Sequence, residues 1–172
     1  MNHCIYCKSG SVNVLTENEE FTYKGKSVQI PVEFTLCDNC DKEYIDTKQI
    51  LKNEAVVRDA KKSIDGLLTS AEIKKAREDL GLTQAQASLV FGGGRNAFSK
   101  YERAEVTQSN AMDKLIRVAL NIPDGFEYLL KQESIKIGSG FYDNVINFPN
   151  QKRTTTHLKS TSEIEVSDRD YG

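Results

Sequence analysis

The sequence predicts an α+β fold, in which a small N-terminal β-ribbon precedes an all-α domain of five helices. Three observations predict it: four cysteines lie within the first 40 residues, apolar residues between them alternate with period two, and helix-capping signals recur after residue 68. Because only 38% of the 172 residues are hydrophobic, two small cores fit the composition better than one large core. We therefore divide the chain into domains at residues 1–68 and 69–132, followed by a C-terminal extension at residues 133–172.

The N-terminal ribbon is predicted from the alternation of apolar and polar residues. Apolar side chains alternate at 12–14 and 21–23, a Lys-Gly-Lys turn signal follows at 24–26, and residues 28–36 then hold period two. Pro31 lies inside the second run and cannot donate to a strand ladder, so an edge position or a bulge is expected there. A two-stranded ribbon of this size is marginal in water and needs an additional cross-link.

The cysteines can supply that cross-link. Cys4 and Cys7 form one Cys-x2-Cys turn, and Cys37 and Cys40 form a second one after 29 intervening residues. The ribbon can bring the two turns together into a tetrahedral site of four thiolates, which Zn(II) favours, so one structural zinc ion per chain is predicted. Four thiolates leave no open coordination position for water, and the site is therefore not expected to be catalytic.

Three alternatives use the same cysteines. Two disulfides would suit a secreted protein, but the sequence shows no secretory signal. A redox-active cysteine pair needs a βαβ context that is missing from the pattern, whereas an iron–sulfur cluster remains chemically possible. His3 adjoins Cys4 and could replace it as a ligand, although a solvated N-terminal histidine is the simpler interpretation.

Six helices are predicted after the second cysteine pair. The first, at residues 47–64, trails the ribbon, and the five others form the second domain. Two of these five open with capping boxes, and a run of three glycines at 92–94 requires a turn because it would cost a helix roughly 3 kcal/mol. The apolar stripe of the trailing helix consists of Ile50, Leu51, Ala55, Val57 and Ile64. The five helices begin at Thr69, at Thr83, near residue 95, near residue 109 and at Pro123.

The second and third of these five helices have the spacing of a helix-turn-helix, which predicts DNA binding. The helix from residue 95 to residue 103 would lie in the major groove, with Ala97, Phe98 and Tyr101 facing the core. Its polar side and the start of the preceding helix supply the candidate DNA contacts Arg95, Asn96, Ser99, Lys100, Arg103 and Gln84. The alternative is a plain helical bundle in which these residues form a solvated face.

Charge limits how DNA could be bound. The chain has a net charge of −2, and residues 71–132 carry nine Lys and Arg against eight Asp and Glu, a net charge of +1. A general binder of polyanions is therefore excluded, and DNA binding would need individually placed side chains or two copies acting together.

At this point the residues resemble a known family. Two Cys-x2-Cys turns around a ribbon, followed by Leu82-Thr83-Gln84 and by the sequence Phe-Gly-Gly-Gly-Arg-Asn-Ala-Phe-Ser-Lys-Tyr-Glu at residues 91–102, are similar to the MqsA family of type II antitoxins. The resemblance covers about residues 1–130. It implies a zinc domain that binds a ribonuclease toxin, and a homodimeric helix-turn-helix domain that represses its own operon at a palindromic operator.

The resemblance also assigns roles to two residues of the recognition helix. In the family an Asn and an Arg read bases, and these positions are Asn96 and Lys100 here. Lysine lacks the bidentate fork of arginine, so the operator sequence is expected to differ. The glycine that usually follows the Tyr-Glu-x motif is Ala104 here, which leaves the end of this helix open.

The extension at residues 133–172 continues beyond the family's usual last helix. It resembles the chaperone-addiction segments of some antitoxins, which a SecB-like chaperone shields from proteases. A disordered tail or a contact arm for the partner is the simpler interpretation, because residues 149–172 are polar and carry almost no core.

The sequence thus predicts an antitoxin that neutralises a toxin and represses its own transcription. The alternative is a stand-alone repressor whose zinc domain senses metal or redox state. An enzyme is not expected, because the two histidines, His3 and His157, flank the chain and the glycine run lacks a Walker lysine. A cytoplasmic protein without a membrane segment is expected, since no apolar run approaches the ~20 residues of a bilayer span.

Overall fold

The computed structural model describes residues 3–136 and confirms the α+β prediction, with a three-stranded antiparallel sheet followed by six helices. Residues 137–172, and with them most of the predicted extension, lie outside the described residues. Within residues 3–136 no helix is long and apolar enough to cross a membrane. The elements are β1 (Val12–Tyr23), β2 (Lys26–Cys37), β3 (Glu43–Tyr44), α1 (Thr47–Ile64), α2 (Ser70–Asp79), α3 (Gln84–Val90), α4 (Ala97–Glu102), α5 (Asn110–Asn121) and α6 (Pro123–Gln132).

The ribbon is a long hairpin whose register continues without interruption from the Val12–Cys37 pair to the Tyr23–Lys26 pair. Lys24 and Gly25 form its two-residue turn with φ values of +50° and +74°, which is the left-handed pair that a type I′ hairpin requires. The sequence predicted two strands, whereas the structure adds the two-residue strand β3 on the other side of β2. A strand of two residues is too short to show periodicity.

Helix α1 lies along the edge of β2 that β3 leaves free. The side-chain amide of Asn53 accepts from the N–H of Glu33 at 2.9 Å and donates to the carbonyl of Glu33 at 2.8 Å, as a neighbouring strand would. Because backbone groups alternate sides along a strand, the nitrogen of Pro31 also faces away from β1, where its missing N–H breaks no ladder bond. The edge interpretation of Pro31 is confirmed, and the unbroken register shows no bulge there.

The bounds of α1 match the prediction, and Asp46 with Gln49 closes an N-terminal capping box. The predicted apolar stripe is wrong as a buried face, because Ile50 and Leu51 are 46% and 63% exposed. The fully buried residues of α1 are instead Gln49 and Lys62. A strand edge presents backbone polar groups, so the helix that covers it meets them with polar side chains. Asn53 meets the backbone of Glu33 in this way. Gln49 instead accepts from the buried side-chain hydroxyl of Thr35 at 3.0 Å, and Lys62 pairs with Asp59 at 3.0 Å.

Helices α2 to α6 enclose the main hydrophobic core. Its buried members include Ile73, Leu80, Ala87, Phe98, Ile116 and Phe126, contributed by all five helices or their ends. The capping boxes predicted at Thr69 and Thr83 are both present. Helix α4 is shorter than expected, because Arg95 and Asn96 precede its first residue, Ala97.

The segment between α1 and α2 is held by hydrogen bonds rather than left loose. The carboxylate of Asp113 on α5 accepts from the N–H of Leu68 at 2.7 Å, and Gln108 donates to the carbonyl of Leu68 at 2.7 Å. Asp113 is buried, yet the bonds from Arg117, Leu68 and Gln108 outweigh its desolvation and lower its pKa. The predicted domain division at residue 68 therefore falls at a segment fixed to the helical domain, and the division itself remains a prediction.

An ion pair fixes α4 against α2. Glu102 at the end of α4 accepts from Arg77 Nε at 2.5 Å and Nη2 at 3.0 Å, and from Gln84 Nε2 at 2.8 Å. The two charged side chains are only 12% and 5% exposed. The bond from Arg77 and that from Gln84 outweigh desolvation and lower the pKa of Glu102.

Arg77→Ala is expected to lower the free energy of unfolding by about 3–5 kcal/mol, because it leaves the Glu102 carboxylate buried and unpaired. Urea denaturation followed by circular dichroism measures it. The control is Lys75→Ala on the same helix, whose partner Asp79 lies in a pair that is 76% and 51% exposed; it should change stability by less than about 0.5 kcal/mol. Equal effects of the two substitutions would contradict the structural role given to Glu102.

Candidate metal centre and nucleic-acid interface

The four cysteines converge at the open end of the ribbon. All four Sγ atoms lie within 4.8 Å of one another, with Cys4 and Cys40 separated by 3.8 Å and Cys7 and Cys37 by 3.7 Å. A tetrahedral zinc ion with Zn–S bonds of about 2.3 Å places its sulfurs about 3.8 Å apart. All four thiols are free, so the two-disulfide alternative does not describe this structure.

The two cysteine turns repeat one local geometry. In the first, the N–H of Tyr6 points at Cys4 Sγ at 3.4 Å and the N–H of Lys8 donates to the carbonyl of Cys4 at 2.9 Å. In the second, Asn39 and Asp41 make the same two bonds to Cys37, at 3.4 Å and 3.1 Å. The fourth residue after the first cysteine of each turn has a left-handed backbone: φ is +60° at Lys8 and +51° at Asp41. Each turn therefore directs a backbone N–H at a sulfur, and backbone N–H groups of the first turn lower the pKa of Cys4.

The pKa values of the Cys7 and Cys40 thiols are shifted in opposite directions. Backbone N–H groups, that of Ser9 foremost, lower the pKa of Cys7 to about 5. The N–H of Lys42 favours the Cys40 thiolate as well, but burial and the neighbouring sulfurs outweigh it and raise the pKa of Cys40 to about 12. Four thiolates cannot all be ionised this close together without a compensating cation. The donor set and its spacing thus fit a dication held by all four sulfurs.

Gly10 leaves room for this arrangement. A Cβ atom built at Gly10 would lie 2.6 Å from Cys37 Sγ and 2.8 Å from the Cβ of Asn39. Nothing in the sequence distinguishes Gly10 from other glycines, because a single glycine near a cysteine turn forms no recognisable pattern. His3 is exposed and pairs with Ser11 in an isolated bridge, and it is not a member of the sulfur cluster.

The structure separates the six predicted DNA contacts into two groups. Arg95, Asn96 and Lys100 are exposed and have no hydrogen-bond or ion-pair partner among the described side chains. The other three are engaged: Gln84 bonds Glu102, and Arg103 donates to both Ser99 and Glu105. The bidentate contact with Arg103 lowers the pKa of Glu105. A phosphate contact by Gln84 or Arg103 would therefore have to share the side chain with a carboxylate or replace that carboxylate.

Asn96 occupies the N-cap position of α4 without capping it. Its side chain makes no cap hydrogen bond, although asparagine at this position commonly does so. The carboxamide is thus free for another partner. Lys100 lies four residues further on and shares its face of the helix. Gly92, Gly93 and Gly94 all have φ between +81° and +93°, which only glycine adopts readily, and they direct the chain into the start of α4.

The end of α4 is intact despite the alanine found there. Ala104 has φ of +52° and donates to the carbonyl of Tyr101 at 3.1 Å, while Glu105 donates to the carbonyl of Lys100 at 2.9 Å. This pair of bonds is the Schellman motif, in which glycine usually takes the left-handed position. The carbonyl of Ala104 also accepts from Arg58 of α1. No spacing in the sequence relates Arg58 to this loop, so this contact between the two predicted domains could not be foreseen.

Comparison with known proteins agrees with this architecture. The family described as "Antitoxin component of bacterial toxin-antitoxin system, MqsA" matches residues 1–129. The chain is also 30% identical over 123 residues to the protein named "Antitoxin MqsA" of Escherichia coli (strain K12), an alignment that covers 70% of this chain and 94% of that protein.

Gly10→Ala is expected to weaken metal binding at least about tenfold, because the added methyl group displaces Cys37 Sγ. Metal content per chain, measured by elemental analysis after dialysis against a weak chelator, should fall while the wild-type chain keeps its ion. The control is Gly125→Ala in α6, where φ is not positive and an added Cβ would make only ordinary contacts of 3.5 Å or longer with Val118 and Ile122. Undiminished metal content in Gly10→Ala would contradict the geometry of the centre.

Proposed function

The chain belongs to the MqsA family and is the antitoxin component of a bacterial toxin–antitoxin system, and on this premise we propose that it neutralises a ribonuclease toxin by direct binding and represses its own operon. The observation that carries the proposal is the combination, within the matched residues 1–129, of a four-sulfur centre and a helix-turn-helix with a free Asn96 and Lys100. No catalytic step is assigned to the chain.

The proposed ion is one Zn(II) per chain, held by Cys4, Cys7, Cys37 and Cys40. The support is the fit of the sulfur separations to tetrahedral coordination and the amide dipoles aimed at Cys4 and Cys37. Bound zinc would supply folding energy and no chemistry, because four protein ligands exclude water from the metal. The ribbon needs that energy, since most side chains of β1 are exposed.

The proposed base contacts lie at the start of α4, which would enter the major groove of DNA. Asn96 is suited to pair with adenine and Lys100 to reach the O6 and N7 edge of guanine, with Arg95 beside them at the helix start. Gln84, Ser99 and Arg103 are proposed as surrounding contacts to the phosphate backbone. A phosphate can take the place of Glu105 beside Arg103, because that ion pair is exposed and therefore weak.

A homodimer on a palindromic operator completes the proposal. The charge of the helical domain is too small for one copy to hold DNA strongly, and two copies would double the phosphate contacts. Helices α5 and α6 present Val118, Ile122 and Tyr128 at 40%, 50% and 62% exposure, which supports a second copy on this face. Two recognition helices would then lie about 34 Å apart, one turn of DNA. A cytoplasmic location is part of this proposal, because operator DNA and the RNA that the proposed toxin cleaves are both found there.

The role of the extension stays an expectation. The SecB-like chaperone proposed for residues 133–172 rests on the resemblance alone, since residues 137–172 lie outside the described residues. Within the described part, Ile135 packs against the helical core, which ties the start of the extension to α6.

Growth rescue tests whether the chain neutralises the proposed toxin. The small reading frame adjacent to this gene is induced alone and then together with this chain. Toxicity that this chain abolishes is the expected result. A harmless neighbour, or toxicity left unrelieved, would instead favour the stand-alone repressor that senses metal or redox state.

The double variant Asn96→Ala with Lys100→Ala is expected to lose at least about 30-fold in operator affinity, because each base contact contributes roughly 1–3 kcal/mol. Gel-shift titration of the upstream DNA at fixed salt measures this loss, with circular dichroism to check folding. The control, Lys48→Ala, removes an exposed cation from α1, outside the helix-turn-helix and outside the proposed dimer face, and should change affinity less than about threefold. Tight binding by the folded double variant would show that α4 does not read the operator.

A further inference from the structure

An open groove runs from the sheet onto α1, and we name it the Ile45 groove. It consists of two adjoining depressions of about 280 Å³ and 620 Å³ that share Ile45. The smaller lies on the sheet beside Val32 and Phe34, and the larger lies along α1 from Ile50 to Lys61 and reaches Thr107.

The floor of the groove is apolar and uncovered. Ile45 and Ile50 are each 46% exposed, and Leu15, at 38%, continues the surface because it pairs with Phe34 across the hairpin. No described element packs over these side chains. Exposed aliphatic residues that adjoin one another in a concave surface are typical of a binding site for another protein.

The rim of the groove is acidic. Glu17 and Glu19 of β1, Glu43 of β3 and Glu54 of α1 line it, and none of the four has an ion-pair partner among residues 3–136. The helix side also carries two cations, Arg58, which donates to the carbonyl of Ala104, and Lys61, which lies over the ring of Tyr23 at 5.6 Å. Neither contact neutralises a charge, but four carboxylates outnumber the two cations, so the net charge of the groove lining is negative.

We propose that the Ile45 groove is the surface that binds the toxin, and that it receives a basic segment in which an apolar side chain is flanked by Lys or Arg. This inference rests on the proposed function. A protein that cleaves RNA must attract a polyanion and therefore presents cationic side chains. The unpaired carboxylates complement those cations, and the floor at Ile45 and Ile50 provides apolar burial, from which most of the affinity derives.

Two pairs of adjacent residues, of which only one member lines the groove, provide matched variants. Glu19 and Glu20 are neighbours on β1, both exposed and both without an ion pair among the described residues, but only Glu19 faces the groove. Ile50 and Leu51 are neighbours on α1, but Leu51 lies outside both depressions of the groove and lines a third one beside Arg103, which borders the larger depression at Glu54 and Arg58. The four single variants Glu19→Lys, Glu20→Lys, Ile50→Ser and Leu51→Ser all change exposed side chains, so folding is expected to survive in each.

Binding of the full chain to the purified product of the adjacent reading frame is measured by biolayer interferometry at two salt concentrations. Glu19→Lys is expected to weaken binding at least about tenfold at low salt and less at high salt, because a charge interaction is screened. Ile50→Ser is expected to weaken it about tenfold at both concentrations. Glu20→Lys and Leu51→Ser should each stay within about twofold of the wild type.

The outcomes separate the two proposals. A wild-type chain that fails to bind this protein overturns the proposed function and the groove assignment together. A wild type that binds, with Glu19→Lys and Ile50→Ser no weaker than their controls, overturns the groove assignment alone. Two other occupants are also distinguished. Tighter toxin binding after removal of residues 137–172 would assign the groove to that segment, and a dimer dissociated by Ile50→Ser at unchanged toxin affinity would assign it to a second copy.

Discussion

The convergence of four sulfur atoms is the constraint on which the N-terminal half of this structure depends. The ribbon buries little of its own surface, and its strands are joined at one end by a two-residue turn. The register that pairs Val12 with Cys37 carries the second cysteine turn to the first, so that the hairpin is closed at both ends. That closure fixes β3 beside β2, and β3 in turn sets where α1 begins and where the Ile45 groove opens.

In the helical domain, the side chains of Asn96 and Lys100 take no part in the hydrogen bonds and ion pairs that hold the helices together. The turn of three glycines and the Schellman motif at Ala104 end the neighbouring segments with backbone bonds alone. The ion pair of Arg77 with Glu102 anchors α4 from its buried side. Asn96 and Lys100 are consequently left without internal partners at the exposed start of α4 and one turn further on, where a DNA groove could receive them.

Local signals account for what the sequence predicted well. Capping boxes, the glycine run and the period of β2 each act over a few residues, and helices α1 to α6 and the hairpin follow from them. Most of the failures involve contacts between residues that lie far apart in sequence. Ile50 and Leu51 were expected to lie on an apolar stripe, but α1 covers a strand edge and buries Gln49 and Lys62 instead. Likewise Glu102 binds Gln84 across two helices, a pairing that no periodicity reveals. The pair of Arg103 with Glu105 is local, but its charges alone do not show that the two side chains meet.

The central claim is that toxin and operator bind separate faces of one chain. Hydrogen exchange of the full chain, measured free, with the toxin and with operator DNA, tests it most directly. The account predicts that the toxin slows exchange of backbone amides at residues 15–20 and 43–50 and that DNA slows exchange at residues 92–101. Protection by the toxin confined to residues 92–101, with no change at residues 43–50, would contradict it.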